Sequence, residues 1–316
     1  MSDKVQSILK EVKKAVIGKD DIVKKVFAAI LSGGHILLED VPGVGKTTLA
    51  LSFGKALGLD CRRVQFTSDT MPSDITGFSV YSRSDGKLAY QQGCVITNLL
   101  LADEINRASS KTQSALLEVM EEKQVTVDGI THKLPSPFIV IATQNPTGSA
   151  GTQLLPNSQL DRFMIRLKMG YPEFEGQVNI LKEYSRGNSS KQICSVTDRE
   201  ELIGLQKKAD SVFTDDSIYE YVVRLADETR RSPLIELGIS PRGAIAICRM
   251  AKAQAYISGR DYVIPEDIAE IFSDTSAHRI ILSRKARLSD KKPSDILGDI
   301  LKSTQPPSIK KGTDFL

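Results

Sequence analysis

The chain has 316 residues, 41% hydrophobic and 26% charged, with 42 basic against 39 acidic side chains and a formal net charge of +3. That is enough apolar material for a sizeable core in one large or two ordinary domains, and too even a charge to argue for nucleic acid or an acidic partner. Cys61, Cys94, Cys194 and Cys248 form no CxxC pair and His35, His132 and His278 do not cluster, which disfavours a metal centre or a disulfide framework; with no signal peptide and no membrane-length apolar run, a cytoplasmic setting is expected.

The opening MSDKVQSILKEVKKAV puts Val5, Ile8, Leu9 and Val12 on one helical face, continued by Val16, and reads as a helix docked on a domain surface. Residues 20–32 predict a helix with Asp20 as N-cap, a stripe of Ile22, Val26, Phe27 and Ile30, and a stop at Gly33-Gly34. HILLE (35–39) is a short strand entering DVPGVGKTT, and residues 47–57 follow as a helix. RVQFT (63–67) is a second strand. Residues 71–93 are rich in turns, with SVYSRSDGKLAY reading as two short strands about Asp85-Gly86. NLLLADE (98–104) is a buried strand ending in two acids; a helix over 109–123, a hairpin over 124–134 turning at Asp128-Gly129, and the buried strand FIVIAT (138–143) complete the pattern.

Apolar strands alternating with helices argue for an α/β fold, a parallel sheet covered on both faces. Beyond Tyr171-Pro172 the pattern becomes helical, near 173–185, 198–210, 215–230, 241–257 and 265–276, with a further helix around SDILGDILK. The expected organisation is an α/β nucleotide-binding domain over 1–170, a helical domain over 171–307 and a mobile tail over 308–316.

The chemistry starts at the glycine-rich loop. A phosphate-binding loop reads Gly, four residues, then Gly-Lys-Ser/Thr. Gly45, Lys46 and Thr47 are in place, but Asp40 holds the first glycine slot. Gly43 and Gly45 supply backbone freedom for N–H groups to turn on a phosphate, and Pro42, Val44 and Thr48 complete the loop. Lys46 would reach the β- and γ-phosphates and the Thr47 hydroxyl would hold Mg²⁺. Asp40 lies at the strand exit, away from the anion nest, and is tolerable there if its side chain points outward. Asp103 and Glu104, at the end of an apolar strand, match a Walker B pair: Asp103 to orient Mg²⁺, Glu104 to polarise the attacking water, which favours hydrolysis over kinase chemistry.

Three more residues carry two readings each. Asn145 can position a water beside the γ-phosphate or make an ordinary turn before Pro146. Arg162, in LDRF, is a surface arginine or a finger reaching a neighbouring subunit's nucleotide. In SPRG, Ser240 caps a helix, Pro241 opens it, and Arg242 puts a cation at the positive helix end, a placement a bound anion would offset.

The ordered set VIGKDDIVKKVFAAILSGGHILLEDVPGVGKT, PSDITG, LLLADEINRASSKTQSALLEVMEEKQVTVDG, FIVIATQNP, LPNSQLDRF and GISPRG resembles a MoxR-type AAA+ ATPase, from about residue 10 to about 307. The resemblance implies ATP/ADP and Mg²⁺ as ligands, with Val16-Ile17-Gly18 packing on adenine, Asn145 as sensor 1, Arg162 as arginine finger and Arg242 as sensor 2. It also implies that the 74–93 insert and the 124–134 hairpin face a ring's central pore, and it matches His278, Arg279 and Ile280 to a lid stretch. A hexameric homo-oligomer, chaperone-like remodelling of a protein client and a partner carrying a von Willebrand factor A domain are the family's themes. Asp40 accords with the family, whereas TGSAGTQLLPNSQ carries small or neutral residues where acids are usual. A slow nucleotide-gated switch stands as the alternative. A DNA-translocating relative is disfavoured by the near-neutral charge and by a hairpin tip, VDGI, without Lys or Arg.

Overall fold

The computed structural model describes residues 3–81, 87–145, 153–185 and 193–307. The expected tail over 308–316, the Asp85-Gly86 turn and most of TGSAGTQ lie outside the described residues. By contact, the chain divides into two compact units, Ser2–Gln206 and Lys207 onward.

In the first unit, helices α1 (Asp3–Lys13) and α2 (Asp20–Leu31) precede strand β1 (His35–Glu39) and helix α3 (Lys46–Ala56). Strand β2 (Cys61–Gln65), helix α4 (Pro72–Thr76), strands β3 (Gly77–Tyr81) and β4 (Leu88–Gln92), and strand β5 (Leu99–Asp103) come next. A 3-10 turn at Ile105–Arg107 leads to helix α5 (Ser110–Glu122), the hairpin β6 (Gln124–Val127) and β7 (Ile130–Lys133), and strand β8 (Ile139–Gln144). Helix α6 (Asn157–Leu160), strand β9 (Phe163–Leu167), helix α7 (Phe174–Ser185) and helix α8 (Arg199–Asp210), which spans the division, complete the run.

Five strands form one parallel sheet in the order β2-β5-β8-β1-β9. β5 and β8 are buried along their whole length, which is why LLLA and IVIA at their starts read as continuous apolar runs rather than alternating ones. The order places the end of β8 between the loop after β1 and the acids after β5. That position brings Asn145 between Lys46 and Glu104.

β9 has no counterpart in the sequence reading. FMIRL is short and flanked by Arg162 and Lys168, with Arg166 inside it, so its charges hide its apolar face. Pairing with β1 buries Phe163 and Ile165, and Arg166 meets Glu39 at 3.5 Å. β2 starts two residues earlier than RVQFT, because register with β5, from Cys61 opposite Leu99, sets its extent. α2 departs from expectation at its start: Lys19 occupies the N-cap position and Asp20 is the first helical residue. Its carboxylate suits the positive helix end and pairs with Lys13 at 2.8 Å.

α1 docks on α2 and α3, with Val5, Ile8 and Val12 fully buried. The segment after α7 belongs to the same unit. Cys194 N–H donates to Glu11, Val196 N–H to the Ala56 carbonyl, and Gln206 Nε2 to the Ile30 carbonyl. These ties carry the first unit to Gln206, past the change of pattern near residue 170. The hairpins β3–β4 and β6–β7 are joined by a stack of Tyr90 on His132, with ring centroids 3.9 Å apart. Phe78, Tyr81, Leu88 and Ile130 are exposed on them.

In the second unit, α9 (Asp216–Arg231), strand β10 (Ile235–Leu237), α10 (Pro241–Ile257), α11 (Pro265–Ser276), strand β11 (Ile281–Leu282), α12 (Arg284–Leu288) and α13 (Pro293–Ser303) enclose Leu225, Ile247, Met250, Phe272 and Leu297. The short antiparallel pair β10–β11 is the one sheet described there.

Leu100→Ala in β5 is expected to lower unfolding free energy by roughly 2–5 kcal/mol, while Phe174→Ala, at an exposed site, should stay within about 0.5 kcal/mol. Chemical denaturation of the two variants beside the parent checks this; comparable losses would contradict the burial pattern.

Candidate active site

The loop after β1 and the ends of β2, β5 and β8 enclose a cavity of about 380 Å³, lined by Pro42, Gly43, Gly45, Lys46, Thr47, Thr48, Arg63, Gln65, Asp103, Glu104, Thr143 and Asn145. Every phosphate- and metal-site residue expected in the first unit except Val44 lines it. Ligands in open parallel sheets bind at the carboxyl ends of strands, and this cavity is such a crevice.

The loop conformation rests on glycine where it must. Gly43 (φ 84°) and Gly45 (φ 92°) take left-handed backbone. A side chain at Gly43 would meet nothing within 4 Å, so that face of the loop stands open. Gly45 caps α3 without any side chain accepting from the first turn, so the helix presents its positive end to the cavity. Asp40 is not among the left-handed positions, so its slot does not demand glycine. Its carboxylate accepts from its neighbour Val41 N–H at 2.8 Å and from Gly170 N–H just beyond β9. The side chain thus turns away from the anion nest and ties the loop to the end of a neighbouring strand. Lys46 Nζ donates to the Asp40 and Val41 carbonyls. Burial pushes its pKa below the ordinary lysine range, opposed by the charges of Asp40, Asp103 and Glu104.

Asp103 is buried and held on both oxygens. Thr143 Oγ1 donates to Oδ1 at 2.6 Å, while Oδ2 receives Arg63 Nη2 at 2.9 Å and lies 3.4 Å from Thr47 Oγ1. Glu104 takes left-handed backbone (φ 56°), a conformation that costs a non-glycine residue roughly 1–3 kcal/mol. Its N–H donates to Thr143 Oγ1 at 2.9 Å, and its carboxylate pairs with Arg107 at 2.9 Å. The strain aims the glutamate off the strand line. Asn145 lines the cavity, and its carbonyl accepts from the buried Asn106 at 3.1 Å.

A second cavity of about 220 Å³ shares Gly43, Gly45 and Thr48 with the first. Val16, Ile17, Val44, Met169 and Pro172 give it an apolar lining. The two spaces suit one ligand with a flat apolar end and an anionic end.

Arg162 is outside both linings and pairs through Nε with Glu121 of α5 at 2.8 Å. Arg242 belongs to the second unit, exposed in the first turn of α10. Ser240 caps that helix, accepting from Gly243 N–H at 3.1 Å, with Pro241 first in the helix. Gly243 is confined by Ile239 and Arg279: a Cβ there would come within 2.8 and 3.0 Å of their side chains.

Sequence reasoning missed Arg63, Gln65 and Thr143. Arg63 and Gln65 are two apart on one strand, so they project to one face, and Gln65 is in register with Asp103. Thr143 is the polar interruption of an apolar run, fully buried. Both signals were present, but register was needed to read them.

Fold and site together define a P-loop ATPase of the AAA+ class. The family described as "ATPase family associated with various cellular activities (AAA)" matches residues 35–165, and "AAA lid domain" matches residues 227–300. A crystal structure from Cytophaga hutchinsonii, described as that of a candidate ATPase, superposes with a TM-score of 0.90 at 36% identity, covering 97% of this chain and 96% of its own. The uncharacterised protein YeaC of Bacillus subtilis is 44% identical over 95% of this chain and 93% of its own. Chaperone MoxR1 of Mycobacterium tuberculosis is 38% identical over 95% of this chain and 81% of its own, and protein MoxR of Methylorubrum extorquens 30% identical over 86% of each. The chain belongs to the MoxR family of AAA+ ATPases, enzymes that hydrolyse ATP.

Asp40→Gly, which restores the usual first glycine, is expected to destabilise the protein by about 1–2 kcal/mol through two lost hydrogen bonds and added backbone entropy. Thermal unfolding tests it; an equal or higher midpoint would refute the bracing role.

Proposed function

We propose that the larger cavity is the polyphosphate and metal site, that the smaller takes adenine, and that the hydrolysing protein works as a ring. The observation that carries the reading is the meeting of Lys46, Thr47, Asp103, Glu104 and Asn145, from three separate strand ends, in one cavity. Thr47 Oγ1 and Asp103 Oδ2 are hard oxygen donors on one side of it and suit Mg²⁺, which keeps several waters and phosphate oxygens as ligands. Bound there, the ion would neutralise charge developing on the phosphates.

The chain's own groups have distinct tasks. The loop N–H groups and the start of α3 bind the β-phosphate, and Lys46 leaves its carbonyl partners for the phosphates. Val16, Ile17, Val44, Met169 and Pro172 exclude water from the base. Glu104 orients and polarises the attacking water, once its carboxylate parts from Arg107, and Asn145 holds that water in line. Arg162, paired with Glu121, serves the neighbouring subunit's γ-phosphate, which makes turnover depend on assembly, with a hexamer as the expected ring. Arg242 acts as sensor 2.

Exposed apolar side chains on the joined hairpins, Phe78 (46% exposed), Tyr81 (64%), Leu88 (65%) and Ile130 (64%), support remodelling of a protein client. Tyr81 and Leu88 face each other across β3 and β4, and exposed apolar groups so placed mark surfaces that engage other chains. The name of the mycobacterial relative, a chaperone, accords with this use. A partner with a von Willebrand factor A domain and a cytoplasmic setting complete the proposal; among the described residues no helix is long and apolar enough to cross a membrane.

Two experiments test the reading. Glu104→Gln should bind ATP normally and lose turnover by about 10²-fold or more, the scale of losing a general base; near-normal turnover would remove Glu104 from that role. Arg162→Ala alone should also be inactive, yet mixing it with Glu104→Gln should restore turnover, because intact Glu104 pockets then face intact Arg162 side chains. A mixture that co-assembles and stays inactive would rule out action in trans.

A further inference from the structure

The two oxygens of Asp103 are engaged differently. Oδ1 is committed to Thr143, whose hydroxyl is buried and also accepts from Glu104 N–H. Oδ2 is the oxygen nearest Thr47, and the Arg63 guanidinium is already on it at 2.9 Å. Thr143 therefore holds the carboxylate in one orientation, and only Oδ2 is open to competition.

Arg63 is well placed to compete and to yield. It lies on β2, beside β5 in the sheet, on the same strand face as Gln65, and both line the cavity. Its side chain is 50% exposed while that of Asp103 is 11% exposed. It can swing into solvent without opening a buried void, whereas the carboxylate cannot follow it. Mg²⁺ binds carboxylate oxygen at about 2.0–2.1 Å, and a guanidinium on the same oxygen repels it, so the incoming ion favours an Arg63 that has moved away.

We infer that Arg63 is a resident counter-cation of Asp103 which the incoming metal ion must displace, so that it sets how much Mg²⁺ the site needs before nucleotide is held. The pairing keeps a buried carboxylate neutralised when no metal is present, and raises the metal threshold for closing the site around ATP. This rests on the proposed role of Asp103 and Thr47 as metal ligands.

The test is a Mg²⁺ titration of the binding of a fluorescent ATP analogue by the full chain, read by anisotropy. Arg63→Ala is expected to lower the Mg²⁺ midpoint by about two- to five-fold, the scale of one half-exposed ion pair. Arg63→Gln, which keeps length and polarity without the charge, should move it in the same direction. Arg63→Lys should remain nearer the parent. Because Arg63 is half exposed on an edge strand, all three should unfold near the parent temperature. An unchanged or raised midpoint in both Arg63→Ala and Arg63→Gln, with binding otherwise intact, would make Arg63 a phosphate ligand or a surface group and overturn the inference alone. Failure of the parent protein to bind the analogue at any Mg²⁺ concentration would take the site assignment down with it.

Discussion

A buried carboxylate at the end of a buried strand must be neutralised and oriented by its surroundings, and the site of this protein is arranged around Asp103 doing both. The sheet order makes this possible. β5 has β2 on one side and β8 on the other, so an arginine from one neighbour and a threonine from the other reach the same carboxylate. Thr143 then passes the constraint along by accepting the Glu104 N–H, which helps to hold that residue in a backbone conformation it would not choose alone. The group proposed to hold metal and the group proposed to activate water are thus set by one hydroxyl.

The same economy extends outward. Asn106, in the middle of the turn that follows Glu104, donates to the Asn145 carbonyl. Gln113 of α5 reaches the Ile105 and Ala108 carbonyls and the Gln153 carbonyl. The turn after β5, the end of β8 and Gln153 are therefore linked in one hydrogen-bonded layer. A change in any of the three is felt by the others as a change in hydrogen bonding, not only in packing.

Much of this was legible in the chain itself. The glycine loop, the two acids and the asparagine at the end of an apolar run are local patterns, and the continuous burial of β5 and β8 gives them their strand character. What was not legible depends on register and on partners distant in sequence. Arg63 and Thr143 gain meaning only when β2, β5 and β8 are aligned. β9 is masked by its own charges and becomes a strand through its pairing with β1. The N-cap at Lys19 rather than Asp20 shows the limit of capping preference: the aspartate is used for its charge in the first turn and its pairing with Lys13, not for a cap. The ties of Cys194, Val196 and Gln206 to α1, α3 and α2 are equally long-range, and no periodicity announces them.

The bond from Asp40 to Gly170 has a consequence for what the site can measure. Gly170 lies between Met169 and Pro172, which wall the apolar slot, while Asp40 opens the loop that surrounds the anionic end. On the proposed reading, one carboxylate ties together the walls at the two ends of the nucleotide. That bond would resist the slot and the loop drifting apart for a longer molecule or closing up on a shorter one. Selection by length would then come from a single side chain at the position where most phosphate loops carry none.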